Sequence, residues 1–136
     1  MIQEIVIPFE VTPASRPYVT KYKVFYSKNY TAFRSVVGDW LKKQNVIKFS
    51  GAIRVDINFY FKVKKSWSKK KKTQAIIEEY HIQNNDIDNC IKSCLDLMNG
   101  IAYDDDKQVA ELRAVKKWSE EGSIKIRFEE IGGEKK

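Results

Sequence analysis

Cysteine and histidine are both scarce in this chain of 136 residues, and their scarcity excludes several chemistries. The two cysteines, Cys90 and Cys94, stand four apart, a spacing that suits one face of a helix. Reduced thiols in a cytosolic protein are expected of them, rather than a disulfide. With His81 the lone histidine, Cys90, Cys94 and His81 make no standard tetrahedral zinc set. One histidine also argues against His-based hydrolysis, and no Ser/His/Asp set or phosphate-cradling glycine loop is present. An EF-hand is excluded: a loop begun at Asp86 puts Ile91 where glycine is needed and Leu97 where the bidentate glutamate is needed. No run approaches the ~20 apolar residues of a membrane span. Met1-Ile2-Gln3-Glu4 lacks the basic start and apolar stretch of a signal peptide, so a cytoplasmic protein is expected.

What is abundant is positive charge. Net charge is +7 and the pI about 9.3, which favours a polyanionic partner such as nucleic acid. Hydrophobic residues make up 43%, enough to build a core and to argue against global disorder. The length fits one domain, placed at 1–131, with 132–136 as a disordered tail.

Periodicity gives the elements. Ile5, Ile7 and Phe9 alternate as a first strand. Residues 12–18, with Pro13 and Pro17, read as a loop carrying Arg16. Tyr30, Phe33, Val37, Trp40 and Leu41 share one face of a helix over about 29–44. Residues 52–63 alternate strictly, with Ile53, Val55, Ile57, Phe59, Phe61 and Val63 on one face and charged or polar residues on the other. Lys64, Lys65, Trp67, Lys69, Lys70, Lys71 and Lys72 fall in a run without periodicity, expected as a mobile basic loop. A short helix is expected over 73–80. A second, over 87–98, carries Ile87, Ile91, Cys94, Leu95 and Met98 as its apolar stripe and stops at Asn99-Gly100. Strands over 107–118 and 123–130 are expected to form a hairpin around Glu121-Gly122. The fold class is therefore α+β, a single mixed or antiparallel sheet with helices packed on it.

Two acidic clusters stand out against the basic background. Asp86 and Asp88 open the 87–98 helix, and Asp104-Asp105-Asp106 follow its end. Crowded carboxylates repel one another and resist ionisation. A hard divalent cation relieves this and keeps positions open for phosphate and water. A return along 99–106 is long enough to bring the second cluster back to the N-terminal end of the helix. The competing reading is structural. Asp86 caps the helix, Asp88 pairs with Lys92, and the chain is a basic nucleic-acid-binding module without catalysis. The basic run 64–72 supplies phosphate contacts in either case. Within it, Trp67 either stacks on an unpaired base or is incidental to a solvated loop.

Asp86, Asp88, Asn89, Lys92, Asp96, Asn99-Gly100, Tyr103 and Asp105-Asp106-Lys107-Gln108-Val109 resemble the motif of the RusA family of Holliday junction resolvases, small endonucleases common in phages and prophages. The family's pattern runs Asp-x-Asp-Asn-x-x-Lys-x-x-x-Asp, then Asn-Gly, an aromatic, and Asp-Asp-x-Gln-Val. Arg16-Pro17 and the basic run resemble it more loosely. Asn85 stands where the family often has proline, and Tyr103 where tryptophan is common. Gln108 sets the register across the extra Asp104. The resemblance implies a RusA-like fold and a Mg²⁺-dependent homodimer, Mn²⁺ able to substitute, that nicks a four-way DNA junction symmetrically. It implies Asp86, Asp88 and Asp106 as metal-site acids, Lys92 as an essential lysine and Asp105 as a helper. DNA contacts are expected from Arg16, Lys64, Lys65, Trp67 and Lys69 to Lys72. A nuclease for flaps or forks is the alternative within the same chemistry.

Overall fold

A computed structural model of the chain describes residues 1–15, 18–21, 24, 25 and 27–132. Arg16 and the expected tail from residue 133 onward lie outside them.

The fold is organised by one strand. β4 (Ala52–Lys62) pairs parallel with β5 (Val109–Ser119) on one side and antiparallel with β6 (Ser123–Gly132) on the other. β1 (Ile2–Ile7) completes the sheet along β6, giving the order β1-β6-β4-β5. A separate two-stranded ribbon joins β2 (Tyr18–Val19) to β3 (Val24–Phe25), starting at the last residue of the expected loop at 12–18. With α1 (Lys28–Lys42), α2 (Lys69–Glu78) and α3 (Ile87–Met98), this is an open mixed sheet with helices, the α+β arrangement expected.

The alternation in β4 dictates the layers. Ile53, Val55, Ile57, Phe59 and Phe61 are buried, and they join Phe33, Val37 and Leu41 of α1 and Cys90, Cys94, Leu97 and Met98 of α3 in one core. Truncating a ring such as Phe59 to alanine should cost about 3–5 kcal/mol. Burial pushes the thiol of Cys90 up to about 11 and that of Cys94 to about 12, so both are protonated core groups, free and reduced. The other face of the sheet carries cross-strand charge rows. Arg54 bonds Glu111 and reaches Glu129 at 3.3 Å, and Arg127 lies within 4.0 Å of Asp56, Glu4 and Glu129.

Two expectations need correction. β5 and β6 do not form a hairpin. The chain reaches β5 through α2 and α3, which sets it parallel to β4, and β6 then takes the other edge of β4. Residues 120–122 therefore cross the end of β4. A Cβ at Gly122 would sit 2.5 Å from the Glu10 Cβ, so only glycine lets the crossing pass. Glu10 holds the same corner, its Oε1 accepting from the Lys62 N–H at 2.6 Å.

The basic run is not a loop throughout. Lys69 to Lys72 form the first turn of α2, which starts four residues earlier than the expected 73. The Ser68 hydroxyl accepts from the Lys71 N–H at 3.1 Å, and lysine itself is a good helix former. No apolar periodicity announces such a turn, because α2 has no fully buried residue.

Candidate active site

α3 occupies the expected 87–98. Asn85 adopts a left-handed backbone, φ 78°, which asparagine tolerates and which turns the chain sharply into the helix. The Lys116 ammonium fixes this turn, donating to the Asn85 carbonyl at 2.8 Å and to that of Gln83 at 3.4 Å. The flank of the helix is tied down by the Ala14 N–H, which donates to the Asn89 carbonyl at 2.9 Å, and by the Ser93 hydroxyl, which donates to the Thr12 carbonyl at 2.7 Å.

Both structural roles offered for the first acidic cluster fail. Asp86 holds the N-cap position, but its side chain makes no capping hydrogen bond. Lys92 turns away from Asp88 and pairs with Asp96 at 3.2 Å. Among the described residues neither Asp86 nor Asp88 has a hydrogen-bond or ion-pair partner for its carboxylate. Both are exposed at the N-terminal end of a helix, where the backbone dipole favours negative charge.

The second cluster is built by the turn that ends α3. Gly100, φ 81°, provides the left-handed residue after the C-cap. The buried Tyr103 donates its hydroxyl to the Leu95 carbonyl at 2.7 Å. Gln108 is the hub of the return. Its amide donates to the carbonyls of Phe49 and Gly51 at 2.9 and 3.1 Å, and its oxygen accepts from the N–H of Asp104 at 2.9 Å.

This framework sorts the three consecutive aspartates. Asp104 is exposed and pairs with Lys48 at 2.5 Å. Asp105 caps the 3-10 turn Asp106–Gln108, accepting from the Lys107 N–H at 2.9 Å, and that bond holds its carboxyl below the ordinary range. Asp106 is half-buried and is the member whose charge is felt by Lys92 and Asp96. Its carboxyl is raised, first by desolvation, then by the hydrogen bond and charge of Asp105, with Asp96 adding and Lys92 opposing.

Asp106 thus stands beside the Lys92–Asp96 half of α3, while Asp86 and Asp88 stand at its start. The two clusters were expected to meet at that start. The return segment is folded around Tyr103 and Gln108 rather than extended. Among the described residues no three acidic, cysteine or histidine side chains gather into a metal-holding group. Asp86 and Asp96 are ~15 Å apart along the helix axis at 1.5 Å per residue. The acids form a strip rather than a cage. One or two of these carboxylates could serve a hard divalent cation whose shell is completed by water and substrate phosphate.

The basic residues divide in two. Lys62, Lys65, Lys69 and Lys72 line a cavity of about 300 Å³. Lys71 and Lys64 instead lie over the Trp67 ring, 4.6 and 5.8 Å from its centroid. Trp67 packs edge-on against Trp118 at 4.9 Å and joins the core, so it is neither a free stacking platform nor incidental to a solvated loop. The sequence reading left out Lys116, whose place in a strand gives no hint that it clamps the turn before Asp86. It also left out Gln108 as a structural hub, although its fixed offset from the acids was the available signal.

Among the described residues no helix is long and apolar enough to cross a membrane. The chain is similar to the uncharacterized protein YqaN of Bacillus subtilis (strain 168), 28% identical over 108 residues that cover 77% of this chain and 75% of that protein. Residues 8–129 match the family described as Endodeoxyribonuclease RusA, a span that takes in both acidic clusters, Lys92 and the basic run. The chain belongs to the RusA endodeoxyribonuclease family, whose nucleases depend on a divalent metal.

Proposed function

We propose that this chain resolves Holliday junctions by paired, symmetric nicks in Mg²⁺, with Mn²⁺ able to substitute, and that it serves DNA recombination and repair in the cytoplasm. The observation that carries this reading is the pair Asp86 and Asp88 at the start of α3, which have no cation partner among the described residues, in a chain of the RusA family. Residues 1–131 act as one domain in this reading.

Asp86, Asp88 and Asp106, with Asp105 as a helper, would supply the carboxylates for the ion, one or two to its shell, with water and substrate phosphate completing it. Bound there, it supplies a more acidic water and offsets charge on the scissile phosphate. The remaining work falls to the chain itself. Lys92, held by Asp96 and beside Asp106, places a cation where charge builds on the phosphate. Lys62, Lys65, Lys69 and Lys72 bind the backbone of a DNA arm.

The active form is a C2 homodimer. A four-way junction presents two symmetry-related strands, and a single site on a domain of this size cannot reach both. The test compares cleavage of a four-way junction, a flap, a fork and linear duplex in Mg²⁺, with the nick positions mapped. Symmetric nicks on the four-way junction, well ahead of the other substrates, are expected. Preferred cutting of flaps or forks would replace the resolvase reading by that of another branched-DNA nuclease. Binding without cutting in both Mg²⁺ and Mn²⁺ would replace it by the binding module. A monomer by light scattering, alone and on junction DNA, would overturn the dimer.

A further inference from the structure

We propose that the cavity of about 170 Å³ between the ends of β4 and β5 and the turn before α3 takes one unpaired nucleobase from the branch point of the DNA and so decides where the nick falls. This rests on the branched-DNA reading above and extends it to a specificity site.

Size comes first. Clefts for drug-sized ligands run from ~300 Å³ upward. The smaller volume here suits a single planar ring system rather than a whole nucleotide. The walls suit a ring as well. Trp118, His81 and Phe61 line the cavity with rings tilted against one another, His81 centred 4.1 Å from Trp118 and 4.3 Å from Phe61. Extruded bases are held by aromatic walls and read by hydrogen bonds along their edges.

The cavity also presents hydrogen-bonding groups that the protein does not use. Gln83, Asn84 and Asn85 line it, and none of their side-chain amides has a hydrogen-bond partner among the described residues. Their backbone is not loose, because Lys116 holds the carbonyls of Gln83 and Asn85. Free amides on a fixed turn are preorganised for a planar edge of mixed donors and acceptors. His81 lines the same cavity and is only 5% exposed, yet its Nδ1 has no hydrogen-bond partner. Buried polar atoms are nearly always satisfied, and an orphan calls for a ligand or a water. Burial, with Lys116 and Lys64 adding, lowers the His81 pKa, so the ring is neutral and offers one donor and one acceptor.

Position supplies the last link. Asn85 lines the cavity and the next residue is Asp86, so a base seated here leaves its sugar and phosphate beside the start of the carboxylate strip. Lys62 lines the cavity too and suits a flanking phosphate. Glu10 is already engaged by the Lys62 N–H.

The test uses the full chain and a junction whose branch point migrates through several base steps. The wild type should cut at one step about tenfold more than at its neighbours, the scale of one good base-edge contact. Gln83→Ala with Asn84→Ala should cut all steps within about twofold of one another, the loss falling mainly on the preferred step. Both side chains are exposed and make no bonds within the described fold, so the variant should fold. Removing the base at the preferred step, by an abasic nucleotide, should cost the wild type its preference and change nothing in the variant. An unchanged preference in the double variant, or a wild type indifferent to the abasic nucleotide, would overturn the base site and leave the nuclease reading standing. A wild type that cuts no branched DNA would overturn both.

Discussion

Asp56 and Asp88 are the same residue type on two polar surfaces of one domain, and the fold treats them in opposite ways. On the outer face of the sheet, Asp56 lies between Arg127 and Arg54 in rows that also engage Glu4, Glu111 and Glu129. Cross-strand pairing brings opposite charges to facing positions, each pair contributing a few tenths of a kcal/mol to about 1 kcal/mol. On α3, Asp86 and Asp88 face no cation among the described residues, although Lys92 is one turn from Asp88. A chain with a large excess of lysine could easily have supplied one. Charge neutralised in place serves the fold. Charge left open awaits something the chain does not contain.

The widest gap should come from changing each aspartate to asparagine. Asp88→Asn should reduce junction cleavage in Mg²⁺ by on the order of 10²–10³, the scale of losing one group that stabilises transition-state charge. Asp56→Asn should stay within about twofold in activity and lose no more than about 1 kcal/mol of stability. Urea titration and single-turnover cleavage on both proteins check this. Equal losses of activity would erase the distinction between the two surfaces.

Within the lysine run the difference is smaller. Lys69→Ala and Lys72→Ala, which line the basic cavity, should each lower the log–log salt slope of DNA binding by about 0.9. Lys71, occupied with Trp67, should change the slope less when replaced by alanine. Filter binding at several salt concentrations separates them. Equal slopes for all three variants would mean that the helix does not sort its lysines.

The smallest effect concerns stability and pH. Burial holds the His81 pKa below 6.5. The unfolded chain therefore takes up its proton first as pH falls. The stability owed to the neutral ring is present above 6.5 and lost as pH falls towards the folded value. Melting temperature should fall between about pH 7 and 5.5 in the wild type and fall less in His81→Phe. As the chain has no second histidine, an equal fall in both would place the proton elsewhere.

Much of this was legible in the residues. α3 and β4 declare themselves because burial on one face imposes a period of 3.6 or 2, and because Asn99-Gly100 marks a left-handed stop. The order of strands did not, since the three residues between β5 and β6 look like a hairpin whether or not another strand lies between them. The lysine turn of α2 was hidden because exposed helices carry no apolar signal. At the site, the residue types and the Gln108 register were readable. That Asp86 does not cap and that Lys92 prefers Asp96 over Asp88 depends on rotamers, which spacing leaves open.

The central claim is that carboxylates that no ion pair neutralises among the described residues do the cutting, and the run 104–106 tests it most directly. Asp104 is neutralised by Lys48, whereas Asp106 faces Lys92 with its carboxyl raised. Single-turnover cleavage of a four-way junction in Mg²⁺, with binding measured in parallel, should find Asp106→Asn inactive yet binding at least as well as the wild type. Asp104→Asn should cut within a few-fold of it, and Asp105→Asn should fall between. An Asp106→Asn protein that cuts at the wild-type rate beside a dead Asp104→Asn would contradict the account and move the site to the other face of the turn.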